Sequence, residues 1–154
     1  MSPYPIPSHL DYYGDGVDYF AFLPLEKEAL AVCLGEDETP LFYARIDPIR
    51  RQLLYANSRR EPALLARQNS ARIFHLESGG TIKIEPGDVL AAFMGAISEA
   101  DVIRVIRENP GARAGLLVHR MLGIGRGTAV AVRFIANEEP ALAEDSRALD
   151  LAVA

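Results

Sequence analysis

The chain has 154 residues, of which 49% are hydrophobic and 24% are charged, and its formal net charge at pH 7 is −5. This length suits one domain with its own core, and the composition excludes a wholly disordered chain. The single cysteine excludes a scaffold of intrachain disulfides. No apolar run approaches the roughly 20 residues of a spanning helix, and the first residues do not resemble a signal peptide. We therefore expect a soluble, cytoplasmic protein that does not bind a membrane.

The acidic excess is concentrated at the C-terminus. Residues 137–154 contain five acidic side chains against Arg147 alone, so this segment carries a net charge of −4 and residues 1–136 carry −1. No basic face or stripe is evident, and a nucleic-acid partner is not expected. We therefore divide the chain into a single domain at 1–136, which opens with an extended arm at 1–16, and an acidic tail at 137–154.

The first 98 residues predict strands. Prolines and tyrosines in 1–16 favour an extended arm or edge segment over a helix. Short apolar or alternating segments, bounded by turn residues, then predict β-strands at 17–25, 29–34, 41–47, 52–57, 62–67, 72–77, 81–85 and 89–94. Residues 36–40 are predicted to form a polar loop. We expect Gly79 and Gly80 to break the chain between two strands.

The hydrophobic period changes after residue 98. Apolar residues on one face predict a helix over 99–108, with Ser98 as its N-cap and Asp101 near a capping box. A second helix is predicted at 112–122, a glycine-rich loop at 123–127 and a last strand at 128–136. About nine consecutive strands and two late helices predict an α+β fold, namely a two-layer antiparallel β-sandwich with few flanking helices.

Several segments resemble, in order, the PPM-type metal-dependent serine/threonine phosphatases, and most of all the bacterial branch typified by the stage II sporulation protein E domain. GVDYFAFLPL at 16–25 is similar to the opening GGDYYDFFPL-like strand of that family. LFYARIDP at 41–48, LLYAN at 53–57 and PALL at 62–65 resemble its LFYAVLDP…LTYANAGHPP hairpin. EPGDVL at 85–90 and FMGAISEA at 93–100 resemble EPGDVLLLYTDGVTEA, and TAVAVR at 128–133 resembles the closing strand.

The resemblance implies a sandwich whose aspartates hold two Mn²⁺ or Mg²⁺ ions, and these ions generate the hydroxide that attacks a phosphoserine or phosphothreonine. Hard dications of this kind require oxygen ligands. Asp18 stands at the first metal position, and Glu36, or Asp37 after a slip of one residue, stands at the second. The aspartate of the family's TDG motif is Gly95 here, and the closing Asp-Asp pair falls on Gly125 and Arg126. Two of the metal carboxylates are therefore missing.

The family also carries a helical pair before the LFYA-like strand, and only residues 36–40 span that gap here. Its loss should uncover one sheet face, and the wholly apolar segment 30–34 needs cover on both faces. We expect a homodimer or a protein partner on that face. The resulting function is a non-catalytic, pseudophosphatase-like interaction module in bacterial signalling, with no catalytic residue and no cofactor. The alternatives are a residual Mn²⁺- or Mg²⁺-dependent phosphatase and a small-ligand-binding domain.

Most other reactive side chains have structural interpretations. Asp18 and Glu36 are also compatible with ordinary solvated strand ends, as opposed to remnants of a metal site. His9, His75 and His119 lie in different predicted elements without ligand spacing. The arginine pairs at 50–51 and 59–60 fit solvated hairpin ends better than an anion patch. Cys33 lies inside an apolar strand, which predicts an inert core thiol.

Overall fold

Two antiparallel sheets, with two helices beside them, form the molecule in the computed structural model, which describes residues 9–68 and 70–135. The strands are β1 (Leu10–Gly16), β2 (Tyr19–Pro24), β3 (Leu30–Glu36), β4 (Thr39–Asp47), β5 (Gln52–Asn57), β6 (Ala63–Ala66), β7 (Ile73–Leu76), β8 (Ser78–Lys83), β9 (Val89–Gly95) and β10 (Gly127–Phe134). The helices are α1 (Glu99–Glu108) and α2 (Ala114–Ile124). Sheet 1 has the order β1-β10-β9-β6-β7, and sheet 2 has the order β2-β3-β4-β5-β8. This architecture confirms the predicted α+β sandwich.

The main core lies between the two sheets. Alternate residues of each strand point into it, as the two-residue period of a strand requires. In β4, for example, Phe42, Ala44 and Ile46 are buried while Tyr43 and Arg45 are exposed. The largest fully buried side chains of this layer include Leu30, Leu34, Phe42, Leu53, Leu65 and Leu76. The sheets therefore hold each other together through their inner faces.

A second core lies between sheet 1 and the two helices. Val102 and Val105 of α1 and Leu117 and Met121 of α2 are buried against apolar residues of β9 and β10. The predicted N-terminus of α1 is confirmed, because the Ser98 side chain accepts from the Asp101 amide and the Asp101 side chain accepts from the Ser98 amide. Both helices thus cover sheet 1. Neither helix among the described residues is long and apolar enough to cross a membrane.

The outer face of sheet 2 presents large apolar side chains to solvent. Leu23, Tyr43 and Leu54 are 55%, 37% and 48% exposed. The small residues Ala31 and Cys33 on the same face are buried beneath these neighbours, which explains the unbroken apolar run of β3. Burial also raises the pKa of the Cys33 thiol. We name this surface, defined by the outward residues of β2, β3, β4, β5 and β8, the outer face of sheet 2.

Several element boundaries differ from the prediction. The chain does not break at Gly79 and Gly80, which lie within β8 and pair with Ala56 and Tyr55 of β5. A Cβ on Gly80 would lie 3.0 Å from the Tyr55 hydroxyl, so glycine leaves room for that ring. Residues 36–40 form a tight turn, since β4 already begins at Thr39.

The ends of the chain fall partly outside the structural description. Residues 10–16 of the predicted arm form β1, the edge strand that pairs with β10 along its whole length. Residues 1–8 and the predicted acidic tail at 137–154 lie outside the described residues.

Candidate functional site

Asp18 and Glu36 lie at the same end of the sandwich. Tyr19 pairs with Gly35 across β2 and β3, so the residues just beyond this pair are neighbours at the end of sheet 2. The Asp18 carboxylate accepts a hydrogen bond from the hydroxyl of Thr128 at 3.1 Å, and the Asp18 amide donates to the same hydroxyl at 2.7 Å. Thr128 is fully buried in β10. Asp18 therefore has a structural role, because its hydrogen bonds to Thr128 connect the start of sheet 2 to sheet 1.

Gly95 and Arg126 lie at this same end, where β9 finishes and β10 begins. The Ala96 amide donates to the Arg126 carbonyl at 2.8 Å, which holds the two backbones together. A Cβ on Gly95, whose φ is +102°, would lie 2.6 Å from that carbonyl oxygen. Added Cβ atoms on Gly125 and Gly127 would lie 1.8 and 2.0 Å from the Ala96 and Met94 carbonyl oxygens. Glycine at these positions lets the strand ends close on one another.

An open depression of about 660 Å³ lies beside this closed end. Glu36 and Gly95 both line it, together with Arg59 and the residues that lead into α1. The three positions singled out in the sequence, Asp18, Glu36 and Gly95, therefore come together at one end of the molecule. We call it the site end.

Arg59 is the residue of this end whose role the sequence does not reveal. Its guanidinium donates to the carbonyl oxygens of Phe93 and Glu61 and to the Asn57 side-chain oxygen. Burial lowers the pKa of the guanidinium, and Glu61 acts in the opposite direction. None of the ion pairs found within the described residues includes Arg59. A partly buried positive charge, bound by neutral oxygens, thus faces the depression.

The donor set does not fit the two dications that the family resemblance implies. In residues 9–68 and 70–135, no three His, Cys, Asp or Glu side chains lie close enough together to hold a metal ion. The glycine-closed end leaves no room for a carboxylate at Gly95 or Gly125. His75 is paired with Glu99 across β7 and α1, and Glu99 also lines the depression.

Replacement of Arg59 by methionine should destabilise the domain by about 1–2 kcal/mol, because carbonyl oxygens at the site end lose their donors. Thermal unfolding measures the effect. Arg60→Met is the matched control, since Arg60 is exposed and we expect a change within about 0.5 kcal/mol. Equal losses of stability in the two variants would show that the Arg59 contacts are unimportant.

Comparison with solved structures identifies the architecture, although no protein-family model and no curated protein sequence matches the chain. The RsbU and RsbW domains of Rv1364c from Mycobacterium tuberculosis superpose with a TM-score of 0.69 at 12% identity, over 86% of this chain and 63% of that one. RsbX in complex with magnesium superposes with a TM-score of 0.64 at 10% identity, over 82% of this chain and 96% of that one. The chain has the fold of a PP2C-type phosphatase domain.

A further PP2C-type structure agrees with this assignment. The PP2C phosphatase domain of SpoIIE from Bacillus subtilis, solved with a fragment of its regulatory domain, has a TM-score of 0.58 at 12% identity. The match covers 83% of this chain and 63% of that one. The resemblance stated from the sequence is confirmed for the PP2C-type fold, and at these identities the likeness concerns the fold alone.

Proposed function

We propose that this protein is a non-catalytic domain on the PP2C-type phosphatase fold, which acts in bacterial signalling by binding another protein. The observation that carries the proposal is the glycine-closed site end. Where the resemblance aligns metal-binding aspartates, Gly95 and Gly125 allow backbone contacts that leave no space for a Cβ. A carboxylate at either position requires the strand ends to separate.

Electrostatics supports the same proposal. Hard dications bind through several oxygen ligands, and affinity falls with the charge of the ligand set. Only Asp18 and Glu36 remain of the aligned set, and the Asp18 carboxylate is hydrogen-bonded to Thr128. The same depression is also lined by Arg59, Glu61, Glu99 and Asp101. Its carboxylates are spread out, and no three of the described acidic, His or Cys side chains come close enough to hold a metal ion. This combination disfavours a dication and with it the metal-bound hydroxide of the phosphatase reaction.

A binding role is supported by the outer face of sheet 2. The sequence lacks the helical pair that covers a sheet face in the family, and Leu23, Tyr43 and Leu54 are exposed there. These three side chains share one face, and a face with several large exposed apolar residues is a candidate interaction surface. The signalling assignment rests on analogy with the solved structures, one of which concerns SpoIIE, described as a cell fate determinant.

Titration with Mn²⁺ tests the loss of the metal site. We expect calorimetry on the full chain to detect no binding tighter than about 1 mM, the weak limit of protein cation sites. We also expect no phosphate release from a phosphoserine peptide above the buffer rate. The control is Asp18→Ala, which should give the same titration as the native chain. Tighter binding that this substitution abolishes would contradict the proposal and favour the residual phosphatase.

The residual phosphatase remains the second candidate because Asp18 and Glu36 do lie at the same end of adjacent strands. A small-ligand site between sheet 1 and the helices is less well supported. The cavity there, lined by Ile73, Val89 and Leu117 among others, has a volume of about 130 Å³. Ligand pockets typically have about 300–1,000 Å³.

A further inference from the structure

The outer face of sheet 2 is flanked by turns of opposite charge at the two ends of β4. The turn between β3 and β4 carries the exposed acidic residues Asp37 and Glu38. The turn between β4 and β5, at the other end of β4, carries the exposed basic residues Arg50 and Arg51. Lys83 ends β8 beside this basic turn, because it pairs with Gln52 of β5. The two turns that flank the central strand β4 therefore carry opposite charges, whereas the β2–β3 turn at the far end is mixed, with Glu26, Lys27 and Glu28.

The middle of this face has small residues between large apolar ones, together with one exposed cation, Arg45. One cross-strand row runs from Ala21 through Cys33 and Tyr43 to Ala56, and the next runs from Leu23 through Ala31 and Arg45 to Leu54. Small residues beside exposed leucine and tyrosine side chains let a second flat surface approach closely. Two sheets stacked face to face lie about 10 Å apart, with interleaved side chains.

We propose that the occupant of this face is a second copy of this chain, packed face to face with its strands antiparallel to those of the first. A two-fold axis perpendicular to β4, in the plane between the two faces, brings the Asp37–Glu38 turn of each copy against the Arg50–Arg51 turn of the other. A two-fold axis along β4 would instead set like charges against each other, which is unfavourable. The opposite charges of the two turns that flank β4 select the first arrangement. This inference rests on the proposed binding function.

The size of the face sets the strength of the contact. Its five strands are six to nine residues long. At the usual strand spacing and rise, the face covers roughly 500 Å². A standard stable interface buries about 800 Å² per partner. We therefore expect a dimer that dissociates on dilution, held by the apolar side chains around Arg45 and oriented by the two charged turns.

Charge reversal with mixing tests the arrangement, using light scattering of the full chain over a range of concentrations. Arg50→Glu with Arg51→Glu, and separately Asp37→Lys with Glu38→Lys, should each weaken self-association at least about tenfold. An equimolar mixture of the two variants should associate as strongly as the native chain, because each basic turn then meets an acidic one. Combining all four substitutions in one chain should also restore the native dimer.

Matched controls show whether the effect on association is specific to this face. Glu108→Lys with Arg120→Glu reverses two exposed charges on the helices and should leave association unchanged. Leu54→Arg should abolish the dimer, whereas Leu116→Arg, at a comparably exposed position of α2, should not.

Two results would overturn the inference. A native chain that remains monomeric at the highest attainable concentration would leave the face to another occupant, such as the acidic segment 137–154 or a different protein. A dimer that Leu54→Arg abolishes but that charge reversal and mixing do not affect would exclude the antiparallel arrangement. Neither result bears on the loss of the metal site, which the Mn²⁺ titration decides separately.

Discussion

Gly125→Ala should lower the free energy of unfolding by about 3 kcal/mol, the upper part of the range for overpacked positions. The backbone of Gly125 is extended, with φ −149° and ψ 151°, so conformational strain is not the cause. The cause is contact, because the new Cβ would lie 1.8 Å from the Ala96 carbonyl oxygen and 2.7 Å from its carbon. Backbone atoms cannot rotate aside as a side chain does. The ends of β9 and β10 must therefore separate.

Thermal or urea unfolding measures this loss, and Gly123→Ala is the control. Gly123 lies two residues earlier, within α2, and a Cβ there meets nothing within 4 Å. Alanine is the better helix former by about 1 kcal/mol, so this control should be neutral or stabilising. A Gly125→Ala variant as stable as the native chain would show that the site end opens easily. The proposed exclusion of a carboxylate there would then lose its basis.

Arg67→Met should have an effect of similar size, about 3–5 kcal/mol, because it leaves a buried carboxylate without its partner. Asp88 is 1% exposed, and its oxygens accept from Arg67 Nε at 3.1 Å and Nη2 at 2.8 Å. Nη2 also donates to the Lys83 carbonyl, and the hydrogen bonds to Asp88 raise the pKa of the guanidinium. The pair joins the end of β6 to the turn before β9.

A second arginine, Arg72, serves to distinguish the contribution of the ion pair to stability from that of contact with an aromatic ring. Arg67 and Arg72 lie over the Phe74 ring at 4.9 and 4.7 Å. Arg72→Met loses only a contact of this type and should change stability by about 1 kcal/mol or less. Asp88→Asn in the Arg67→Met background should recover part of the loss, since a neutral amide is cheaper to bury than a charge. If Arg67→Met and Arg72→Met lower the free energy of unfolding equally, the buried ion pair is not the main contribution of Arg67 to stability.

Local patterns in the sequence predicted much of the fold. The residues of β5 and α1 agree with the predicted ranges 52–57 and 99–108, because a turn precedes the strand and the helix lies between a capping box and the breaking sequence at 109–111. The predicted break between two strands at Gly79 and Gly80 is wrong, and it followed from the usual preference of glycine for turns. Here their lack of side chains makes room for the Tyr55 ring across the pair.

The site end depends on contacts that sequence patterns do not record. Arg59 is partly buried, and its guanidinium donates to the Phe93 carbonyl, although the two residues are far apart in the chain. Its neighbour Arg60 is exposed, although the two are chemically identical in the sequence. The alternate spacing of the glycines at 123, 125 and 127 is visible in the sequence. It does not show that a Cβ on Gly125 would meet the Ala96 carbonyl while a Cβ on Gly123 would meet nothing.

The pairing of β1 with β10 has a consequence for the order of folding. Leu10 pairs with Phe134, so sheet 1 joins the beginning of the described chain to its end. In sheet 2, by contrast, β2, β3, β4 and β5 are consecutive hairpins. Loop closure is slow when the partners are distant along the chain, and local hairpins form sooner. On the ribosome, sheet 2 can therefore assemble early, while β1 waits until β10 has been synthesised.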